Sequence, residues 1–279
     1  MKIAVAGLGL IGGSIALTLR KNGFADYFYG IEENAEHAKR ALELGIVDEV
    51  VTLEEGVKSS DLVIIAVPVD ATVKLVISSL DYTDRQIIMD VGSTKASVAN
   101  AVKNHTKRRR FVATHPIWGT EFSGPDAART GEMTGRLTVI CDPENSDPDA
   151  LKLVEDLYNS LGMNTVHQNS DSHDLHAAYV SHISHLTSFA LALAVLDKEK
   201  EEEQIFRLAG AGFQSTVRLA KSNPDTWVPI FKDNRSNILD VLNDQIFFLR
   251  QMKKLIEMEE YETLHKLLSD ANAIKKIIK

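Results

Sequence analysis

Residues 115–125, HPIWGTEFSGP, bring an imidazole (His115), an indole (Trp118) and a carboxylate (Glu121) into one short run broken by two glycines and two prolines. Such a run is neither helix nor strand and reads as a loop. An imidazole that titrates near neutrality is the usual proton acceptor at physiological pH. A carbon bearing a hydroxyl releases a hydride only if the hydroxyl proton leaves too, so a histidine beside a hydride acceptor can serve a dehydrogenase. Ser93, within VGSTK at 91–95, could share a hydrogen bond with the same oxygen. Each residue has a quieter alternative. His115 could be a structural histidine bonded to a carbonyl, Ser93 the N-cap of the helix after it, and the loop a packed connector.

A hydride acceptor is suggested by GLGLIGG, which places Gly7, Gly9 and Gly12 in the spacing G-x-G-x-x-G after a strand pattern and before a helix pattern. In that context Gly7 permits the tight turn, Gly9 lets a pyrophosphate approach the backbone, and Gly12 lets helix and strand pack closely. The helix opened by Leu10 and Ile11 then points free N–H groups at the phosphates. Glu32 ends the second strand pattern, twenty residues after Gly12. A carboxylate there accepts both ribose hydroxyls and repels a 2′-phosphate, which favours NAD over NADP. The alternative is a surface glutamate, with Glu33 beside it as a helix-entry residue.

These residues need a frame. Short β-branched runs (KIAVAG, YFYGIE, LVIIAVP, QIIMDVG, FVATHP, LTVICD and NTVHQ at 164–168) read as strands, and helical patterns fall at 11–22, 34–44, 70–80, 95–103 and 149–161. Alternation of this kind predicts a doubly wound, mostly parallel α/β sheet of the Rossmann type. Ligands of such sheets bind outside the carboxyl ends of the strands. The loops holding Val67 and Pro68, Ser93, and His115 all follow strands and so share an edge with the glycine turn. From about 170 no strand pattern remains. One long helix is expected over 171–198, then three or four more, with Asn223-Pro224 separating two of them. The predicted domains are 1–168 for the dinucleotide and 169–279 for an all-α half that binds substrate and dimerises.

Composition narrows the class. The chain has 279 residues, 44% apolar and 25% charged, which suits two globular domains. A net charge of −8 disfavours nucleic acid and anionic membranes as partners. Cys141 lies in a strand pattern, as a core thiol. No signal peptide is expected, and no stretch approaches the roughly 20 apolar residues of a membrane span, so a cytoplasmic location is expected. DKEKEEEQ at 197–204 reads as a solvated face and KRRR at 107–110 as a solvated turn.

The runs GLGLIGGSIA, DVGSTK, THPIWGTEFSG and SHISH, in this order, resemble the prephenate/arogenate dehydrogenases of tyrosine biosynthesis, over almost the whole chain. The resemblance implies an NAD-dependent oxidative decarboxylation of prephenate, with arogenate as alternative substrate and a homodimer as the assembly. A non-catalytic NAD-binding protein is the remaining alternative. It implies that His115, helped by Ser93, takes the C4 hydroxyl proton, and that Glu121 orders the site and gates entry by charge. His182 and His185 would contact substrate or hold the pocket's network, Arg218 would anchor a carboxylate, and Trp118 would stand in the pocket wall in place of a smaller family residue. No metal is implied, and no further regulatory domain is expected after the helices.

Overall fold

The computed structural model describes residues 1–200, 202 and 204–277. The run 197–204 therefore lies partly outside the described residues. Two compact units are present, Met1–Asn234 and Arg235–Lys279.

The first unit opens with β1 (Lys2–Ala6), α1 (Leu10–Lys21), β2 (Tyr27–Ile31), α2 (Ala35–Glu43), β3 (Glu49–Val50), α3 (Leu53–Ser59), β4 (Leu62–Ile65), α4 (Val69–Tyr82), β5 (Ile87–Asp90) and α5 (Ala96–Val102). β6 (Phe111–Pro116), β7 (Leu137–Cys141), α6 (Pro148–Ser160) and β8 (Asn164–Gln168) complete one eight-stranded sheet in the order β3-β2-β1-β4-β5-β6-β7-β8. The strand order reverses between β1 and β4, the switch point where α/β sheets bind ligands. All pairings are parallel except β6 with β7. The antiparallel pair places Pro116 opposite Thr138, so the chain leaving His115 makes a long excursion before returning.

Strands β1, β4 and β5 read as continuous apolar runs because both faces are covered. Ile3, Val5, Ile64 and Met89 pack on one side, and Ala4, Val63, Ile65 and Ile88 on the other. β3 and α3 have no counterpart in the sequence reading. β3 is only two residues long, too short for a periodicity, although α3 carries a capping box between Thr52 and Glu55. The basic run at 107–110 is more than a solvated turn: Arg108 is buried and donates to the Phe111 carbonyl at 2.7 Å, while Arg109 and Arg110 pair with Asp147 and Asp149.

The expected helix over 171–198 is two helices, α7 (Ser170–Ala177) and α8 (Ile183–Glu199), joined by a π-helical turn at Ala178–His182. The π turn adds a residue to the helical path and rotates everything after it, a device frequent at functional sites. The stretch Ser170–Glu199 is long and apolar enough to cross a membrane by length and composition, with only 11% of its most apolar window buried. This corrects the sequence expectation. The uninterrupted apolar run is short, but the residues around it include few Asp, Glu, Lys or Arg, so the mean hydropathy of the stretch stays high. α9 (Ala211–Val217) and α10 (Pro224–Asp233) close the unit, and Asn223 caps α10 by accepting from the Asp225 amide at 2.9 Å. The second unit comprises α11 (Arg235–Glu257) and α12 (Tyr261–Ala271), with exposed Phe247, Phe248 and Leu249 on α11.

Candidate active site

The glycine turn has the geometry its spacing predicts. Gly7 has φ +89°, and a Cβ there would lie 2.4 Å from the Ala66 carbonyl oxygen. A Cβ at Gly12 would lie 2.1 Å from the Gly7 oxygen, so α1 can approach β1 only as glycine. At Gly9 a Cβ would meet nothing closer than 4.0 Å, which leaves the space over the α1 N-terminus open. Gly9, Leu10, Ile11, Val67 and Pro68 line a cavity of about 320 Å³ that continues past Ser93 to Trp118, Glu121 and Trp227. Glu32 lies outside that lining. Its carboxylate accepts from the Leu8 and Asn34 amides at 3.1 and 3.0 Å, which fixes it beside the turn with lone pairs to spare.

A second cavity of about 610 Å³ shares Ser93, Trp118, Glu121 and Trp227 with the first and adds His115, Arg136, His185 and Arg218. The residues expected to do chemistry or bind substrate thus converge, except His182. His182 is buried and lines neither cavity. Its Nδ1 meets the Asn234 amide at 3.2 Å, and its ring lies edge-on to Trp227. It supports the wall from behind, because the π turn brings it inward. His185 follows on α8 and stacks on Trp227 with centroids 3.4 Å apart, its Nδ1–H donating to the Ser181 carbonyl. Arg218 starts the short turn after α9, exposed and without a carboxylate partner among the described residues.

His115 is oriented by His173 and Asp174, which the sequence places on the helix leading to His182 and His185 and not beside the loop. Its Nδ1 lies 2.9 Å from His173 Nε2, and His173 Nδ1 lies 2.8 Å from Asp174 Oδ1. An ionised carboxylate only accepts, so His173 carries its proton on Nδ1 and presents a bare Nε2. His115 must then donate through Nδ1–H, which leaves its Nε2 lone pair unengaged on a residue that lines the larger cavity. Asp174 also accepts from the Lys95 amide at 2.8 Å and the Ala96 amide at 2.9 Å. It is therefore the cap of α5, and the serine-cap alternative for Ser93 does not hold. The Ser93 hydroxyl has no hydrogen-bond partner among the described residues, and Ser93 lines both cavities. His173 sits in the run HDLHAAYVSHISH, but only the fold reveals that it meets His115 across 58 positions.

Electrostatics keep the imidazole neutral, the form that can accept a proton. Burial first, then His173, Lys95 and His182, hold the His115 imidazole well below the ordinary histidine value. Burial brings His182 down to about 4 and also lowers His185, the latter helped by Arg218 and opposed by the Ser181 carbonyl. Glu132 and Arg136, on the approach to β7, add one charge of each sign to the cavity wall and were not anticipated. Among the described residues no three histidine, cysteine or acidic side chains form a metal-binding group.

A glycine turn at the switch point of a parallel sheet, opening toward an oriented imidazole, marks the fold as that of a nucleotide-binding dehydrogenase. Family comparison is more specific. The model described as "Prephenate dehydrogenase, nucleotide-binding domain" matches residues 15–167, and "Prephenate dehydrogenase, dimerization domain" matches 169–270. The chain belongs to the prephenate dehydrogenase family. Prephenate dehydrogenase of Bacillus subtilis is 31% identical over 275 residues, 96% of this chain and 74% of that protein. Cyclohexadienyl dehydrogenase of Zymomonas mobilis is 29% identical over 94% of this chain and 90% of its own. Among solved structures, Aquifex aeolicus prephenate dehydrogenase in complex with hydroxyphenyl propionate and NAD+ superposes with a TM-score of 0.91 at 29% identity, covering 100% of this chain and 98% of that one.

Proposed function

We propose that this protein oxidises and decarboxylates prephenate to 4-hydroxyphenylpyruvate with NAD, and that His115 is its proton acceptor. The observation that carries the reading is the chain Asp174–His173–His115, which leaves one imidazole nitrogen bare in a cavity continuous with the glycine turn. NAD, when bound, supplies the acceptor for the hydride leaving C4. Gly7, Gly9 and Gly12 fit its pyrophosphate, Leu10 and Ile11 supply the helix N-terminus, Val67 and Pro68 form the wall, and Glu32 suits a ribose without 2′-phosphate. The Aquifex aeolicus relative bound to NAD+ supports this assignment.

His115 Nε2 takes the C4 hydroxyl proton as the carbonyl forms, with the Ser93 hydroxyl bonding to the same oxygen. The ring C–CO2⁻ bond then breaks, CO2 leaves, and the bonding pair restores aromaticity. The resulting phenolate recovers the proton from His115. Arg218 binds a substrate carboxylate through its planar fork. His185 and Trp227 form the wall against the ring, and Glu121 and Trp118 stand at the junction of the two cavities. Arogenate is the second reading, because Glu121 and Glu132 place carboxylates in the same cavity, the charge an ammonium side chain would meet.

The boundary at 168/169 separates the nucleotide half from the helical half, and the helical half forms a homodimer. The exposed Val180 and Leu193 on the Ser170–Glu199 stretch, 77% and 66% accessible, support a covering partner. The matched dimerization domain supports a second copy as that partner. The test is turnover of NAD with prephenate, with arogenate and with a simple 2-hydroxy acid. Reduction with prephenate or arogenate and none with the hydroxy acid is expected. The reverse pattern would remove the reading.

A further inference from the structure

Lys95 is fully buried, as is the Asp90 carboxylate it contacts. An ammonium in such a place is held by a paired carboxylate and further acceptors, and breaking such a pair is far more disruptive than never having had it. The Lys95 Nζ lies between Asp90 Oδ2 and the Thr114 carbonyl, to which it donates at 2.8 Å. Asp90 in turn accepts from the Gly92 amide at 3.0 Å and the Thr114 amide at 3.3 Å. A Cβ at position 92 would sit 3.0 Å from that carboxylate, so glycine keeps the pairing open. Ser93 lies between Gly92, tied to Asp90, and Thr94, whose hydroxyl donates to Asp233 at 2.6 Å. His115 follows Thr114 directly. The amide of Lys95 meets Asp174, the carboxylate that orients His173 against His115.

We propose that Lys95 is a positioning residue of the dehydrogenase: its buried ammonium locks the Ser93 loop to the His115 strand and sets the positive field in which the imidazole works. This rests on His115 being the proton acceptor. The placement explains why a cation is held where an apolar side chain would pack. Lys95 reaches the site from two sides, through its amide by way of Asp174 and His173, and through its ammonium by way of Thr114. A neutral residue of the same length would retain the first link and lose the second.

The charged and titratable groups around His115 are His173, Asp174 and His182 from the helical segment and Lys95 and Asp90 from the β5 edge, while Glu121, Glu132, Arg136, His185 and Arg218 line the same cavity. Of these, His173 and Lys95 are the strongest charge effects lowering the imidazole. Burial pushes the Asp90 carboxyl up, and the Lys95 ammonium with the two amides opposes that rise.

The experiment uses the full chain carrying Lys95→Met with Asp90→Asn, which removes both charges, and Lys95→Met alone. Histidine-selective NMR titration, assigned with His115→Gln, reads the imidazole without requiring turnover. The double variant is expected to fold and to titrate at His115 at a higher pH than the wild type. Its plateau kcat should fall about tenfold or more, with KM for NAD and substrate within about threefold, because misplacement acts on the reacting geometry rather than on binding. A folded double variant with unchanged His115 titration and kcat would overturn the proposal. If neither variant folds, Lys95→Gln, which removes the charge and keeps an amide donor, is read in the same way: unchanged His115 titration and kcat overturn the proposal, and a raised titration with a lowered kcat sustains it. A wild type inactive on prephenate and arogenate would instead remove the activity reading and leave the titration result standing.

Discussion

At the scale of single residues, function is divided between groups that touch the reacting atoms and groups that orient them. Arg218, proposed as the anchor for a substrate carboxylate, has no carboxylate partner of its own among the described residues. Arg218→Gln should raise KM for prephenate by the equivalent of about 2–5 kcal/mol while kcat changes little, because a carboxylate anchor serves ground and transition states alike. Steady-state kinetics check this, and an unchanged KM would move the anchor to Lys221 or Arg136. Glu32 makes a separate prediction. kcat/KM with NAD should exceed that with NADP, since a fixed carboxylate beside the turn meets a 2′-phosphate with like charge. Equal use of both cofactors would show that Glu32 does not face the ribose.

At the scale of elements, Asp174 links α7 to α5 and to the histidine pair in one carboxylate. Asp174→Ala would orphan a buried and a part-buried amide at the start of α5 and strip His173 of its acceptor. A loss of about 2–4 kcal/mol in unfolding free energy is expected from the amides alone. Denaturant titration measures it, and a loss under 1 kcal/mol would mean that water replaces the cap. This element also marks where the sequence stopped being readable. The glycine turn, the strands and the edge loops were legible because their signals are local: a spacing, a β-branched run, a strand followed by a loop. Ser93 and His115 followed from topology, since both end neighbouring parallel strands. His173 and Asp174 lie on another element, and no period in the sequence announces that α7 will dock against α5. The π turn was illegible for a similar reason. Its residues, AYVSH, are compatible with an ordinary helix, and only packing selects the wider turn. His182, expected to contact substrate or hold the pocket's network, lies behind the wall, bonded to Asn234 and edge-on to Trp227.

At the scale of the whole molecule, two properties follow from buried surfaces. Leu193 and Leu196 on α8 and Phe247, Phe248 and Leu249 on α11 are exposed in the single chain. Light scattering at micromolar concentration should give the mass of a dimer, and a monomer would refute that assembly. Stability should also depend on pH in a defined direction. His182 is depressed to about 4 in the folded chain, so the unfolded chain binds the proton more tightly. Stability from this group is complete above the unfolded value and is lost as pH falls from about 6.5 toward 4. Between pH 7 and pH 5 this group's loss is about 2 kcal/mol, and His182→Gln should remove that share of the slope and leave the share of the buried His115. A variant with the wild-type pH dependence would assign the effect to other groups.

The central claim is that His115 is the proton acceptor of an NAD-dependent oxidation of prephenate, and His115→Asn tests it most directly. The asparagine amide can replace Nδ1–H as donor to His173 but cannot take a proton from the substrate hydroxyl. With saturating NAD, kcat for prephenate should fall by about 10²- to 10⁴-fold while KM stays close to wild type, since the imidazole acts on charge that develops only as the hydride leaves. A variant with near-normal kcat would contradict the account and return residues 115–125 to a packed connector.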